Sequence, residues 1–239
     1  MSKQIYRKHL ALYKHINNAW IFSELLKPDL EEKSKKLCNS TSSAKKPYKT
    51  PKKLGWVNNK RRDKEIGALF QSQLDRGMYE TNIVSLVSRV EAFIQDCISI
   101  VACAHPQKLK ILADKGGVPV DLVLENENRD DLIKRFVAIK CEGLMFSKPK
   151  EYLDKASKVI SIELDSETIE NYIEIKASRD LVIHGYGKMN AIYLEKAGRK
   201  ARGALGETLE VDREYFRNVI VKLKALSAEF QKQTEAKYQ

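Results

Sequence analysis

The chain has 239 residues, 43% of them hydrophobic, which is enough for one ordinary domain and a smaller appendage. Its apolar runs fall far short of the ~20 residues that span a bilayer, and its charged N-terminus does not resemble a secretory signal. We therefore expect a cytoplasmic protein without membrane association, whose net charge of +11 has to be explained.

The first predicted element is an amphipathic helix over residues 4–27. Leu12 and Ile16 lie on one side of it, and Pro28 is expected to end it because proline cannot continue a helix. Residues 1–32 are thus predicted to form an N-terminal helical segment ahead of the main domain.

The next segment carries the charge of the whole chain. Residues 33–64 contain twelve lysines and arginines against one acid, Asp63. The segment lacks periodicity and is rich in Ser, Thr, Pro and Asn, which predicts a basic flexible linker. Two interpretations stay open: an arm that binds nucleic-acid phosphates with the help of Tyr48 and Trp56, or a solvated tether.

A helical domain is predicted over residues 65–239. Its helices are expected to begin near residue 62 and then to occupy 80–104, 131–146, 149–160, 166–183 and 213 to about 233, with a short strand near Leu209. Such a pattern is typical of an all-α antiparallel bundle. The four cysteines lack CxxC spacing, so we expect reduced thiols, and neither a disulfide framework nor a bound metal.

Chemistry is concentrated at the end of the helix predicted over 166–183. Arg179 offers a permanently charged donor fork for phosphate, and His184 can exchange a proton near neutral pH. Asp180 lies four residues before His184 on the same helical face, and Gly185 is expected to end the helix. The alternative is structural: a surface salt bridge and a histidine that interacts with the helix C-terminus.

The order of residues here resembles the signature of the HEPN superfamily of helical nucleases, and among them the RiboL-PSP and MAE groups. The residues that match are Arg179, Asp180, Leu181, Val182, Ile183, His184, Gly187 and Asn190. The chain departs from the signature at Asp180 and Gly185, positions where asparagine is frequent. The resemblance covers roughly residues 78–235 and implies a HEPN-like bundle that needs no cofactor.

The parts suggest a mechanism for cleaving RNA without a metal. The 2′-hydroxyl of RNA is its own nucleophile, so the site needs a base, an acid and positive charge on the phosphate. His184 would exchange protons, and Arg179 would stabilise the transition state. One histidine cannot be base and acid at once; the resemblance implies a homodimer in which two motifs share a cleft. It also implies a defence or toxin role, with an antitoxin or defence-system partner.

Several residues around the motif are candidates for supporting roles. Asp180 either orients His184, pairs with Arg179 of a partner subunit, or is a solvated acid. Glu91, on the helix predicted over 80–104, either faces the cleft, as in related proteins, or is a surface or capping residue. The candidates for binding RNA are Tyr186, Lys188, Lys196, Arg199, Lys200 and Arg202. The competing function is a HEPN-like module that binds RNA or a protein without cleavage.

Overall fold

A computed structural model of the chain describes residues 1–112, 118–126, 128–185 and 187–238. Its helices are α1 (Ser2–Cys38), α2 (Asp63–Ser72), α3 (Met78–Ala104), α4 (Leu109–Leu112), α5 (Val120–Leu124), α6 (Arg129–Leu144), α7 (Pro149–Ile160), α8 (Ser166–His184), α9 (Ala191–Ala197) and α10 (Arg213–Lys237). A π-helical turn (Gln73–Gly77) joins α2 to α3, and 3₁₀ turns occupy Pro106–Lys108 and Gly198–Lys200. Strands β1 (Lys45–Lys52) and β2 (Gly55–Arg62) form an antiparallel hairpin. The predicted all-α class is confirmed.

The hydrophobic core is built around α3. Its buried residues recur at intervals of three and four, as expected for a helix that buries one broad face: Ile83, Leu86, Val87, Val90, Ile94, Cys97, Ile98 and Val101. Phe93 of α3 meets Phe230 of α10 edge to face, with ring centroids 6.2 Å apart. Tyr172 and Ile175 bring α8 into the same core. The motif helix is therefore held by packing along its length.

The N-terminal helix belongs to this core as well. Ile5, Leu12 and Ile16 of α1 are buried in it, and Trp20 stacks on Phe216 of α10 with ring centroids 6.0 Å apart. Residues 1–32 are thus an integral part of the helical domain and not an appendage to it.

The prediction that this helix ends at Pro28 is wrong, because α1 continues through the proline to Cys38. Proline removes one backbone donor from a helix, but tertiary packing along α2 supports the second half of α1. Ser34 Oγ donates to Gly67 O at 3.2 Å and lies 3.1 Å from Gln71 Oε1. A Cβ at Gly67 would lie 2.6 Å from the thiol of Cys38, so the two helices are in close contact there.

The basic segment is also more ordered than predicted. Residues 33–38 are helical, and residues 45–62 form the β1–β2 hairpin at the point where α1 and α2 meet, so a flexible linker is wrong for both stretches. All side chains of the hairpin are exposed except that of Thr50, which is half-buried. The sequence therefore lacks the alternation of apolar and polar residues from which strands are predicted. The two-residue turn ends at Gly55, whose φ of +98° favours glycine.

The remaining elements agree closely with the sequence pattern. The helix predicted over 149–160 has those bounds, and those predicted over 80–104 and 166–183 are observed as Met78–Ala104 and Ser166–His184. The strand expected near Leu209 is reduced to an isolated bridge between Lys188 and Thr208. Within the described ranges, no helix combines the length and apolarity that a bilayer crossing requires.

Candidate active site

The motif lies at the C-terminal end of α8, whose two ends are fixed by local sequence. At the start, Asp165 accepts a hydrogen bond from the backbone N–H of Thr168 at 2.8 Å, as an N-cap residue should. At the end, the N–H of Gly185 donates to Leu181 O at 2.8 Å. A Cβ at Gly185 would lie 2.8 Å from Leu181 Cδ1, so glycine lets the chain leave the helix directly after His184.

Arg179 is held by a buried carboxylate of α3. Its Nη2 lies 3.0 Å from Glu91 Oε2, and Lys176 of α8 binds the other oxygen of the same carboxylate. The Glu91 side chain is 2% exposed, whereas those of Arg179 and Lys176 are 18% and 13% exposed. Of the two alternatives for Glu91, the surface or capping residue is therefore wrong. It anchors the motif arginine to the core, with one carboxylate between two cations.

Asp180 binds the same guanidinium from the other side. Arg179 Nη1 donates to Asp180 Oδ1 at 2.8 Å within the chain, and Lys196 Nζ lies 3.5 Å from Asp180 Oδ2. No hydrogen bond between Asp180 and His184 exists among the described residues. Of the roles weighed for Asp180, the pairing with an arginine is observed, but with Arg179 of its own chain.

His184 is exposed at the end of α8 and, in the part of the chain that is described, has no hydrogen bond or ion pair. It lines a shallow depression of about 220 Å³ between α8 and α9, together with Asp180, Asn190, Tyr193 and Lys196 among others. Arg179 does not line this depression, because its guanidinium is directed to Glu91. One chain thus places Asp180 and His184 at a common surface, while Arg179 sits behind Asp180.

The expected RNA-binding residues are divided by the structure. Lys188 is exposed, and Tyr186 lies outside the described residues. Arg199 Nε donates to Glu170 Oε2 at 2.7 Å, and Lys200 Nζ lies 3.4 Å from Glu167 Oε1. These two cations are partly neutralised by acids of α8, yet both remain at the surface and can exchange a carboxylate for a phosphate at modest cost.

Arg202 differs from the other basic residues. Its guanidinium lies 3.4 Å from the ring centroid of Tyr215, and its Nη2 donates to Glu210 O at 2.6 Å. Arg202 Nη1 is buried without a hydrogen-bond partner. These contacts give Arg202 a structural role in fixing the segment between α9 and α10, so it is not available to a bound RNA as an exposed cation would be.

A buried polar cluster behind the motif was not anticipated from the sequence. Glu174 of α8 is 2% exposed, and its Oε1 accepts hydrogen bonds from Ser178 Oγ at 2.7 Å and Tyr215 OH at 3.0 Å. Burial raises the pKa of Glu174 above its ordinary value, although those two donors oppose the shift. The sequence signal was present, since Glu174 lies between the apolar Ile173 and Ile175, but a single acid in such a stripe is easily taken for a surface residue.

No group of three or more His, Cys, Asp or Glu side chains that could hold a metal ion exists within the described ranges. The four cysteines are free, with Cys97 and Cys141 buried and Cys38 exposed. Comparisons of this chain with models of known protein families, with curated protein sequences and with solved structures found no match.

Proposed function

We propose that this protein is a metal-independent endoribonuclease of the HEPN type, with a site composed of two copies of the Arg179–His184 motif. The observation that carries the proposal is the arginine anchored by a buried carboxylate at the end of a helix whose last residue is an exposed histidine. An ordinary surface arginine would not be tied to the core by Glu91. Such anchoring holds the guanidinium in a fixed orientation, as stabilisation of a transition state requires.

The chemistry assigned to each residue follows from its surroundings. His184, which is free of partners among the described residues, would remove the proton of the RNA 2′-hydroxyl or protonate the leaving 5′-oxygen. Arg179 would stabilise the charge on the phosphate as the 2′-oxygen attacks phosphorus and the 5′-oxygen leaves. The products would be a 2′,3′-cyclic phosphate and a 5′-hydroxyl. Because one histidine cannot fill both roles, a second subunit would supply the other.

Asp180 has a specific place in this proposal. It occupies the guanidinium nitrogen that a phosphate would bind, so the substrate has to displace it. Lys196 Nζ, 3.5 Å from the other carboxylate oxygen, can retain Asp180 once Arg179 is released. Asp180 would therefore pair with Arg179 in the free protein and be displaced from it when RNA binds.

Cleavage of a labelled single-stranded RNA in EDTA tests the proposal. We expect wild type to cleave, and His184→Ala and Arg179→Ala each to lose at least ~100-fold in rate, the usual scale for a general acid–base group. Lys232→Ala is the matched control, since it removes an exposed cation of α10 that belongs neither to the motif nor to the candidate RNA-binding residues. A 2′-deoxy substitution at the cleaved position should abolish the reaction. Activity that requires added magnesium would refute this mechanism.

One observation favours a second function, an RNA- or protein-binding module that does not cleave. Arg179 is bound by two carboxylates of its own chain and is absent from the depression that His184 lines. Under this alternative, wild type and His184→Ala would bind RNA equally and neither would cut it. The resemblance of the motif to the HEPN signature supports the nuclease and, with it, a cytoplasmic defence or toxin role with a neutralising partner.

A further inference from the structure

The side chains of the β1–β2 hairpin lie on two faces, and each face carries cations and one aromatic residue. Residues that pair across an antiparallel ladder point to the same side, and the side alternates along each strand. The register pairs Lys49 with Asn58 and Pro51 with Trp56. One face, here called face A, therefore carries Lys45, Pro47, Lys49, Pro51, Trp56, Asn58, Lys60 and Arg62.

The opposite face, face B, carries Lys46, Tyr48, Thr50, Lys52, Val57, Asn59 and Arg61. The hydrogen bond from Asn59 Nδ2 to Thr50 Oγ1, 2.5 Å long, places these two side chains on one side and supports the assignment. Lys46 of face B is neutralised by Asp63, whose Oδ1 lies 2.7 Å from the ammonium group. The four cations of face A have no ion pair with any described residue.

Trp56 distinguishes face A further, because its side chain is 70% exposed. Single exposed apolar side chains are common, and Leu54 and Phe146 are exposed here too; Trp56 differs from them because it lies on the same strand face as the four cations of face A. The other tryptophan, Trp20, is partly buried against Phe216. Lysines arranged along a strand beyond an exposed aromatic ring are the combination that binds single-stranded nucleic acid.

The free edge of β1 disfavours one alternative occupant, a protein strand that adds to the sheet at that edge. Pro47 and Pro51 have no backbone N–H. Both lie in non-hydrogen-bonded pairs of the antiparallel ladder, where the backbone N–H of each β1 residue would point away from β2. The free edge of β1 thus lacks two donors and carries several lysines, which together discourage strand addition.

We propose that face A binds single-stranded RNA, with one base stacked on Trp56 and the backbone phosphates bound along Lys49, Lys60, Lys45 and Arg62. A strand rises about 3.3 Å per residue, so the path from Trp56 to Arg62 is about 20 Å long. Stacking needs an unpaired base, which a duplex does not present. This assignment rests on the proposed function for its choice of RNA and names the form in which the substrate is held.

The test uses the full chain with His184→Ala, so that no cleavage occurs, and with Trp20→Phe, so that Trp56 is the one tryptophan. Single-stranded oligouridylate with a fluorescent label is the probe. The fluorescence of Trp56 reports stacking, and the anisotropy of the labelled RNA reports affinity. We expect RNA to quench Trp56. Trp56→Ala should weaken binding roughly 5- to 160-fold, the range for loss of one base–aromatic stack, while Trp56→Phe should retain most of the affinity.

A matched pair of variants separates face A from charge in general. Lys49→Gln with Lys60→Gln removes two cations from face A, and Lys52→Gln with Arg61→Gln removes two from face B. The first pair should weaken binding and reduce the slope of log affinity against log salt by about 1.4, since each phosphate contact on a single strand contributes about 0.7. The second pair should change the slope by less than half of that.

Several outcomes would overturn the assignment. Equal losses in the face A pair and the face B pair would show that the hairpin acts only through its total charge. The proposed stacking on Trp56 would be refuted if a duplex RNA bound as tightly as the single strand, or if RNA bound without quenching the fluorescence of Trp56. Tighter binding of the deoxy oligomer than of the RNA would remove the choice of RNA. Because the background carries His184→Ala, this test can succeed or fail whether or not the wild type cleaves RNA.

Discussion

Removing the charge of Glu91 should destabilise the protein more than any other single change near the motif. In Glu91→Gln, the anchored guanidinium and the ammonium group of Lys176 lose the one anion that lies between them. Loss of one partner from a buried ion pair costs about 3–5 kcal/mol. Arg179 keeps Asp180, and both cations are slightly exposed, so the lower end of that range applies here.

The expected effect on thermal unfolding follows from the size of the chain. At about 2.1 cal/mol/K per residue, unfolding of this protein carries an entropy of about 0.5 kcal/mol/K. A loss of about 3 kcal/mol therefore corresponds to a fall in Tm of about 6 °C. Circular dichroism at the helical band, during heating and in urea, would measure both quantities.

Two companion variants make the result specific. Asp180→Asn removes the more exposed of the two carboxylates and should cost less than about 1 kcal/mol. The double variant Glu91→Gln with Arg179→Gln should be more stable than the sum of its parts predicts, by about 1–3 kcal/mol, because a removed cation no longer lies unpaired. If Glu91→Gln unfolds within 0.5 kcal/mol of wild type, the buried anchor is not an energetic feature and the argument from it fails.

Four other predictions follow from the structure. Mixing His184→Ala subunits into wild type should lower RNA cleavage by more than the fraction of wild-type subunits that is replaced, because a mixed dimer keeps only one of the two histidines that the composite site needs; a strictly monomeric enzyme would lose activity only in proportion. Asp180→Asn should raise the affinity for RNA about 5-fold, since about 1 kcal/mol of repulsion between like charges is removed; weaker binding in a filter assay would contradict this. Gly67→Ala should destabilise the protein by about 1–3 kcal/mol in urea, because its Cβ would overlap the thiol of α1. Burial raises the pKa of Glu174 above its ordinary value of 4.5, so the stability that this carboxyl contributes is lost as pH rises from that value through the raised pKa of the folded protein. Glu174→Gln has no carboxyl to ionise there, so its free energy of unfolding relative to wild type should increase from pH 4 to pH 7.

The helices that surround the core could be predicted because each buries one side. In α3 and α7, buried residues at helical spacing left a clear pattern, and their bounds were predicted to within two residues. The extension of α1 past Pro28 could not be predicted in this way. Its second half is stabilised by contact with α2, more than thirty residues away in sequence at Ser34 and Gly67, and local propensity does not report such a contact.

The candidate site was predictable only in part, for a similar reason. Arg179 and His184 could be predicted because their order resembles the HEPN signature, and Glu91 because proteins with that signature often carry an acid on the corresponding helix. Lys176 was missed, since a lysine at the edge of an apolar stripe usually extends its amine to solvent. Glu174 was missed because periodicity marks which positions are buried and not which buried positions are polar.

The π-helical turn between α2 and α3 sets the rotation of α2 about its own axis relative to α3. A π turn contains one residue more than an α turn, so the chain from Gln73 to Gly77 carries in effect a one-residue insertion. Deleting one residue there would restore regular helix and rotate α2 by about 100° relative to α3. Gly67 would then turn away from α1, and a bulkier side of α2 would face Ser34. The packing of α2 on α1 therefore depends on a local irregularity of the helix. Substitutions in this turn should be tolerated better than the insertion or deletion of a residue.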